Sequence, residues 1–82
     1  MRLDVLLYRL RLAKTRGGVQ RMLEDMPVRM DGRRVTKPSC TVKEGAVLTL
    51  PFHGRVRVVE IVTLPERRGP SEEAKAHVRE LS

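Results

Sequence analysis

A chain of 82 residues has room for one small domain with a single modest core, and none for a separate catalytic domain. Its 17 Lys and Arg outnumber 10 Asp and Glu for a net charge of +7, and the excess is uneven: residues 1–34 hold nine basic and four acidic side chains, residues 35–64 four and two, residues 65–82 four and four. A strongly positive first half beside a neutral tail marks a face, which favours nucleic acid over an acidic membrane or an acidic protein as the partner.

Leu3, Leu6, Leu7 and Leu10 recur at i, i+3, i+4 and i+7, which predicts an amphipathic helix over 3–12. Asp4 falls in its first turn, where the helix dipole favours a carboxylate, and Arg2, Arg9 and Arg11 fall off the leucine stripe. Thr15 is suited to cap a second helix over 15–25, with Val19, Met22, Leu23 and Met26 as its apolar stripe and Pro27 as its stop. Two helices joined by so short a link must pack stripe to stripe. Gly17 and Gly18 cost the second helix about 1 kcal/mol each relative to Ala. Either something approaches closely there, or the turn itself packs tightly.

Val28-Arg29-Met30 alternates, and Asp31-Gly32 is a two-residue turn signal before Arg33-Arg34-Val35, together a hairpin. Lys37-Pro38-Ser39 reads as irregular. Lys43-Glu44-Gly45 is a second turn leading to a strand over 46–50, after which 51–54 reads as loop. Residues 55–63 form the longest predicted strand. Val56 and Val58 share one side of it and Val59 and Ile61 the other, a change of phase that predicts a bulge or a middle covered on both faces. Residues 65–70 read as a linker in which Glu66, Arg67 and Arg68 form a charge cluster anchoring the tail. Ser71 then caps a last helix, with Glu72 and Glu73 in its first turn and Ala74, His77, Val78 and Leu81 along one face.

The cations gather where the chain turns. Duplex RNA hides its bases in a deep, narrow groove, so a small basic domain reads backbone shape through phosphates and 2′-hydroxyls. Arg16 sits at the first turn of the second helix, where free N–H groups also attract phosphate, with Lys14 and Thr15 beside it. Arg2 either reaches RNA or pairs with Asp4. Arg11 either reaches RNA or covers the helix pair with its stem. Arg29, Arg33 and Arg34 border the hairpin, Lys37 follows it, and Gln20, one turn beyond Arg16, offers an amide to a sugar or base. Arg55 and Arg57 alternate with valines and read as the wet face of a strand.

Other chemistries find little support. Tyr8, read as half-buried on the first helix, and Phe52 are the only aromatics, too few for a platform that stacks single-stranded bases. The one cysteine, Cys40, excludes an internal disulfide and a Cys-rich zinc site; His53 and His77 lie far apart, so neither a metal nor another cofactor is implied. No nucleophile–base pair, paired carboxylates or phosphate loop is recognisable, which argues against an enzyme. Without an apolar run of about 18 residues or a signal-peptide core, the expectation is a soluble, cytoplasmic monomer with no membrane and no small-molecule substrate as partner.

Taken in order and spacing, four segments resemble the S-four domain, the RNA-binding module named after small-ribosomal-subunit protein four. Arg2-Leu3-Asp4 matches its R-L-D opening, and Lys14-Thr15-Arg16 its basic-Thr/Ser-Arg signature. Val28-Arg29-Met30-Asp31-Gly32 is similar to its V-x-V-N-G strand and turn, and Val42-Lys43-Glu44-Gly45 to its v-x-x-G segment. The likeness runs over about residues 2–50. It implies an α+β fold of the alpha-L kind, two packed N-terminal helices followed by a small, mainly antiparallel sheet and a C-terminal helix. Residues 1–64 are then the RNA-binding domain, and 65–82 a linker and helix packed on or beside it.

Residues 66–74 are similar to the segment after the last strand in the fifteen-kilodalton heat-shock protein family, and the length and opening are similar to those of the S-four factors of ribosome-associated quality control. This resemblance implies non-catalytic binding to ribosomal RNA on the large ribosomal subunit, with peptidyl-tRNA as a further contact, in recycling or quality control of stalled translation and in the stress response. Four departures stand out: Val5 replaces the family's usual Lys, Met26-Pro27 a Gly-containing helix end, Asp31 an Asn, and Ala46 an Asp. Three other readings stay open on the sequence. The second helix presents Arg16, Gln20, Arg21 and Glu24 as a double-stranded DNA reader does; the chain is a detached RNA-binding module of an RNA-modifying enzyme; or the neutral last helix is a protein-interaction surface.

Overall fold

The computed structural model describes residues 1–52 and 54–81. In chain order the elements are α1 (Leu3–Arg9), α2 (Arg16–Asp25), β1 (Val28–Met30), β2 (Arg33–Val35), β3 (Val47–Phe52), β4 (Arg55–Ile61), α3 (Ser71–Ala76) and β5 (Val78–Glu80). The fold is α+β, as the resemblance implied: the packed pair α1 and α2 shares one core with a five-stranded antiparallel sheet ordered β2-β1-β3-β4-β5.

The leucine stripe makes α1. Leu3, Leu6 and Leu7 are fully buried, with Leu10 just behind them. The helix ends earlier than its periodicity predicts, because Arg11 takes a left-handed φ of 61° and the N–H groups of Leu12 and Ala13 both donate back to the carbonyl of Leu7. Thr15 caps α2 as expected, its hydroxyl accepting the Gly18 N–H at 3.0 Å. Val19 and Leu23 are buried beneath it. Met26 is the extended C-cap rather than a helical residue, and its side chain stays exposed.

Asp31 and Gly32 have φ values of 53° and 82°, the paired left-handed geometry of a tight two-residue hairpin turn, and set the register Val28 opposite Val35. The Asp31 carboxylate accepts the Val47 N–H at 3.0 Å while its own N–H donates to the Val47 carbonyl, so the turn is fastened to β3. β3 runs through Phe52, past the predicted end at residue 50. Pro51 is tolerated there because β1 pairs with β3 only at Thr49 and Leu48, and beyond that point no ladder on that side needs its missing N–H.

The register of β3 with β4 is continuous from Val47 opposite Glu60 to Phe52 opposite Arg55, so the phase change of the valines reflects no bulge there. Val59 and Ile61 face the core, whereas Val56 is 67% exposed on the open face of the sheet. Arg57 shares the side of Val59 and Ile61 and is half-buried in an ion pair with Glu80 at 2.9 Å; it is not on the wet face.

The tail departs most from its periodicity. α3 stops at Ala76, and residues 78–80, read as helix, form β5 on the outer edge of β4, with Ile61 opposite Val78. An edge strand offers unpaired N–H and C=O groups, and this segment takes them up. The His77 carbonyl accepts the N–H groups of Val62 and Thr63 at the corner. Of the expected cluster of Glu66, Arg67 and Arg68, the two arginines anchor the linker, through residues of α1 and α3 rather than through Glu66. Arg68 donates to the Tyr8 carbonyl at 3.0 Å and lies 4.7 Å from the centroid of the half-buried Tyr8 ring, Arg9 donates to the Pro65 carbonyl, and Arg67 pairs with Glu73. Arg68→Ala removes a charged hydrogen bond and a cation–π contact together, and urea unfolding should find the variant about 1–2 kcal/mol less stable than the parent.

Candidate nucleic-acid interface

The polar end of the domain is built from three segments. Residues 1 and 2 pair with 41 and 42, through the Met1 carbonyl accepting the Val42 N–H and a bridge between Arg2 and Thr41. The first N–H groups of α1 then donate outward, Leu3 to the Cys40 carbonyl and Asp4 to that of Pro38, each at 2.9 Å. The loop after β2 is thereby held against the start of α1. The start of α2 completes the corner.

Asp4 lies where the three meet and is only 6% exposed. Its carboxylate accepts two hydrogen bonds from Arg2, at 3.1 and 3.0 Å, one from the Val5 N–H at 2.8 Å, and a longer one from Arg16 at 3.5 Å. Burial raises the carboxyl's proton affinity. The Arg2 hydrogen bonds, the Val5 N–H and the charges of Arg2 and Arg16 together outweigh that and hold it below its ordinary value. Cys40 is half-buried nearby, and both burial and the Asp4 charge push its thiol up.

Around this centre the expected residues divide. Lys14, Thr15 and Arg16 are exposed at the start of α2, where Thr15 takes the Gly18 N–H and those of Arg16 and Gly17 have no intrahelical acceptor. A Cβ built on Gly17 meets nothing within 4 Å, so no tight packing of the chain requires glycine there. On the other side of Asp4, Arg33, Arg34 and Lys37 line an open groove of about 590 Å³ over Met30, Val35 and Cys40. Cys40 and Pro38 tie this groove to Asp4, so the groove cations Lys37, Arg33 and Arg34 and the Asp4-bound Arg2 and Arg16, with Lys14 and Thr15 next to Arg16 in the chain, border the same corner. Gln20 is exposed but hydrogen-bonded to Glu24 at 3.0 Å.

Two expected residues lie beside this cationic run rather than along it. Arg11 donates its Nε–H to the Gly69 carbonyl at 2.6 Å and is thereby turned toward the linker. Arg29 lies on the open face of the sheet, across from Arg34 and Thr49, beside an apolar hollow of about 380 Å³ that Met26, Pro51 and Val56 also line. Sequence reasoning gave Asp4 a helix-start role and missed its bridge to Arg16. No local spacing signals it, because the two residues are twelve positions apart at the starts of different helices. Among the described residues no three His, Cys, Asp or Glu side chains gather to hold a metal, and no helix is long and apolar enough to cross a membrane.

All the cations of this corner fall within residues 1–48, the span matched by the family model of the S4 domain, and the chain belongs to that family. Small ribosomal subunit protein uS4 of Lysinibacillus sphaericus (strain C3-41) is 45% identical to it over 49 residues, 60% of this chain and 24% of that protein. The chain thus spans about a quarter of the length of that relative. A trimeric structure of heat shock protein 15 from Vibrio cholerae is similar over 100% of this chain and 82% of its own, with a TM-score of 0.90 at 33% identity.

A carboxyl held below its ordinary value stabilises the fold above that value and ceases to as the pH falls through its folded value. Thermal melts should therefore find an Asp4-dependent loss of stability confined to pH below about 4, with the profile flat from there to neutrality as far as this group is concerned.

Proposed function

We propose that the chain is a non-catalytic, cytoplasmic RNA-binding protein that grips structured ribosomal RNA on the large ribosomal subunit, with tRNA as an additional contact, in recycling or quality control of stalled translation. The observation that carries this reading is the run of exposed cations from Lys14 and Arg16 past Arg2 to Lys37, Arg33 and Arg34. It lies wholly inside the S4-matched residues and ends on the free N–H groups of a helix. The likeness to a ribosomal protein and to heat shock protein 15 supports the ribosomal destination. One chain supplies the whole run, so the proposed binding unit is a monomer, with 65–82 serving as a tail that braces the domain of 1–64.

The double-stranded DNA reading is weaker on the exposed face of α2. There Gln20 is engaged by Glu24, and Glu24 and Asp25 bring negative charge to the surface a recognition helix would insert. Competition between duplex DNA and ribosomal RNA at equal phosphate concentration separates the two, with RNA expected to win.

Neutralising roughly five phosphates gives a log–log salt slope near −4, about two to three decades of affinity between roughly 50 and 200 mM salt. Arg16→Ala should make that slope shallower by about 1. Gly17→Ala should raise thermal stability by up to about 1 kcal/mol yet weaken RNA binding, because the methyl group points where the ligand's backbone approaches. Cosedimentation of the tagged chain with large-subunit fractions from stalled cells tests the destination; recovery only at the top of the gradient would defeat it.

A further inference from the structure

We propose that Asp4 is a positioning residue for RNA binding: one buried carboxylate holds the guanidinium groups of Arg2 and Arg16, which come from different elements, in fixed places along the phosphate-facing edge. This rests on the RNA-binding reading above. The backbone that carries Asp4 is anchored, its N–H donating to the Pro38 carbonyl and that of Leu3 before it to the Cys40 carbonyl. Its carboxylate engages two of the five N–H donors of Arg2 and one of those of Arg16, leaving the others for a ligand. Both arginine side chains stay about half exposed, at 52% and 54%, while that of Asp4 is at 8%. The negative charge is sheltered and the positive charges are presented.

A long arginine side chain otherwise loses its rotamer freedom on binding, and a side chain already held in place has less to lose. This gives the proposal a sign that net charge alone does not. On net charge, removing an acid from an RNA-binding surface tightens binding. If Asp4 positions the two arginines, removing it loosens binding.

Titration of a fluorescein-labelled A-form RNA hairpin across a salt series tests this. Asp4→Asn keeps the side-chain shape and an acceptor for the Val5 N–H while raising the net charge by one. Its affinity is expected to fall about fivefold to tenfold, with a salt slope shallower by about 1. In an Arg2→Gln/Arg16→Gln background the same substitution should leave affinity unchanged or tighten it, whereas a merely structural role weakens binding in both backgrounds. Arg2→Lys/Arg16→Lys keeps the parent's net charge, replaces both planar forks by point charges, and should also bind more weakly; it carries the test if Asp4→Asn does not fold. Asp4→Asn, or the double lysine variant where that is decisive, binding as tightly as the parent while Arg16→Gln weakens binding overturns the positioning role and leaves the RNA-binding reading standing. Equal weakening by Asp4→Asn in both backgrounds overturns it too. A parent with no salt-sensitive binding to the hairpin overturns both.

Discussion

The polar end of this domain is organised around a negative charge that water barely reaches. An ionised carboxylate in such a place is tolerated only with hydrogen bonds and opposite charge around it, and Asp4 has both from three directions. The requirement ties the start of α1 to that of α2, while the backbone N–H groups of Leu3 and Asp4 hold the loop after β2 beside them. The apolar core alone fixes helices against a sheet but leaves long cationic side chains free to wander. Here the charge fixes two of them. Fold and surface electrostatics are coupled at one residue whose neighbours, Leu3 and Leu6, belong to the core.

The uneven charge of the sequence has a structural counterpart. Four basic side chains of the second half are matched by acids of that same half: Arg57 with Glu80, Arg67 with Glu73, Lys75 with Glu72 and Arg79 with Glu60. Exposed pairs of this kind contribute little to stability, but they cancel the field locally. Among the described residues no such acid faces Lys14, Arg33, Arg34 or Lys37. These cations therefore keep their positive charge uncancelled by an acid of the described residues. Arg9, Arg11 and Arg68 belong to neither group: each donates to a backbone carbonyl of α1 or the linker, which fixes its place without cancelling its charge.

Much of the fold was legible because it is written in local patterns. The leucine spacing of α1, the Thr15 cap and the Asp31-Gly32 turn each depend on residues within a few positions of one another, and each appears where its pattern lies. The tail was misread for the opposite reason. Ala74, His77, Val78 and Leu81 have helical spacing, but whether residues 78–80 continue a helix depends on an edge of β4 some twenty positions earlier that needs partners. The same holds for Arg57, whose side of the sheet is set by a register with β3. At the site, the residue types were legible and their grouping was not. Arg11 looked like a member of the cationic run, but after its left-handed turn it bonds the linker, whereas strand pairing sets Arg29 opposite Arg34 at the margin of the run.

Local rules are broken here in places that stability alone does not account for. Gly17 and Gly18 weaken the start of α2 although a side chain at Gly17 would meet open space. Arg29 and Arg34 stand directly across from each other in β1 and β2, where like charges repel. Asp4 is ionised in a nearly buried position. All lie within residues 1–48, and in β5, α3 and the linker the charges are paired instead. Sequences depart from local consistency mainly where a surface serves something besides its own folding. The polyanion of the proposed function would account for these departures together: its backbone would approach closest where no Cβ stands, its phosphates would screen the facing arginines from each other, and its charge would give a guanidinium held on an internal acid something external to face.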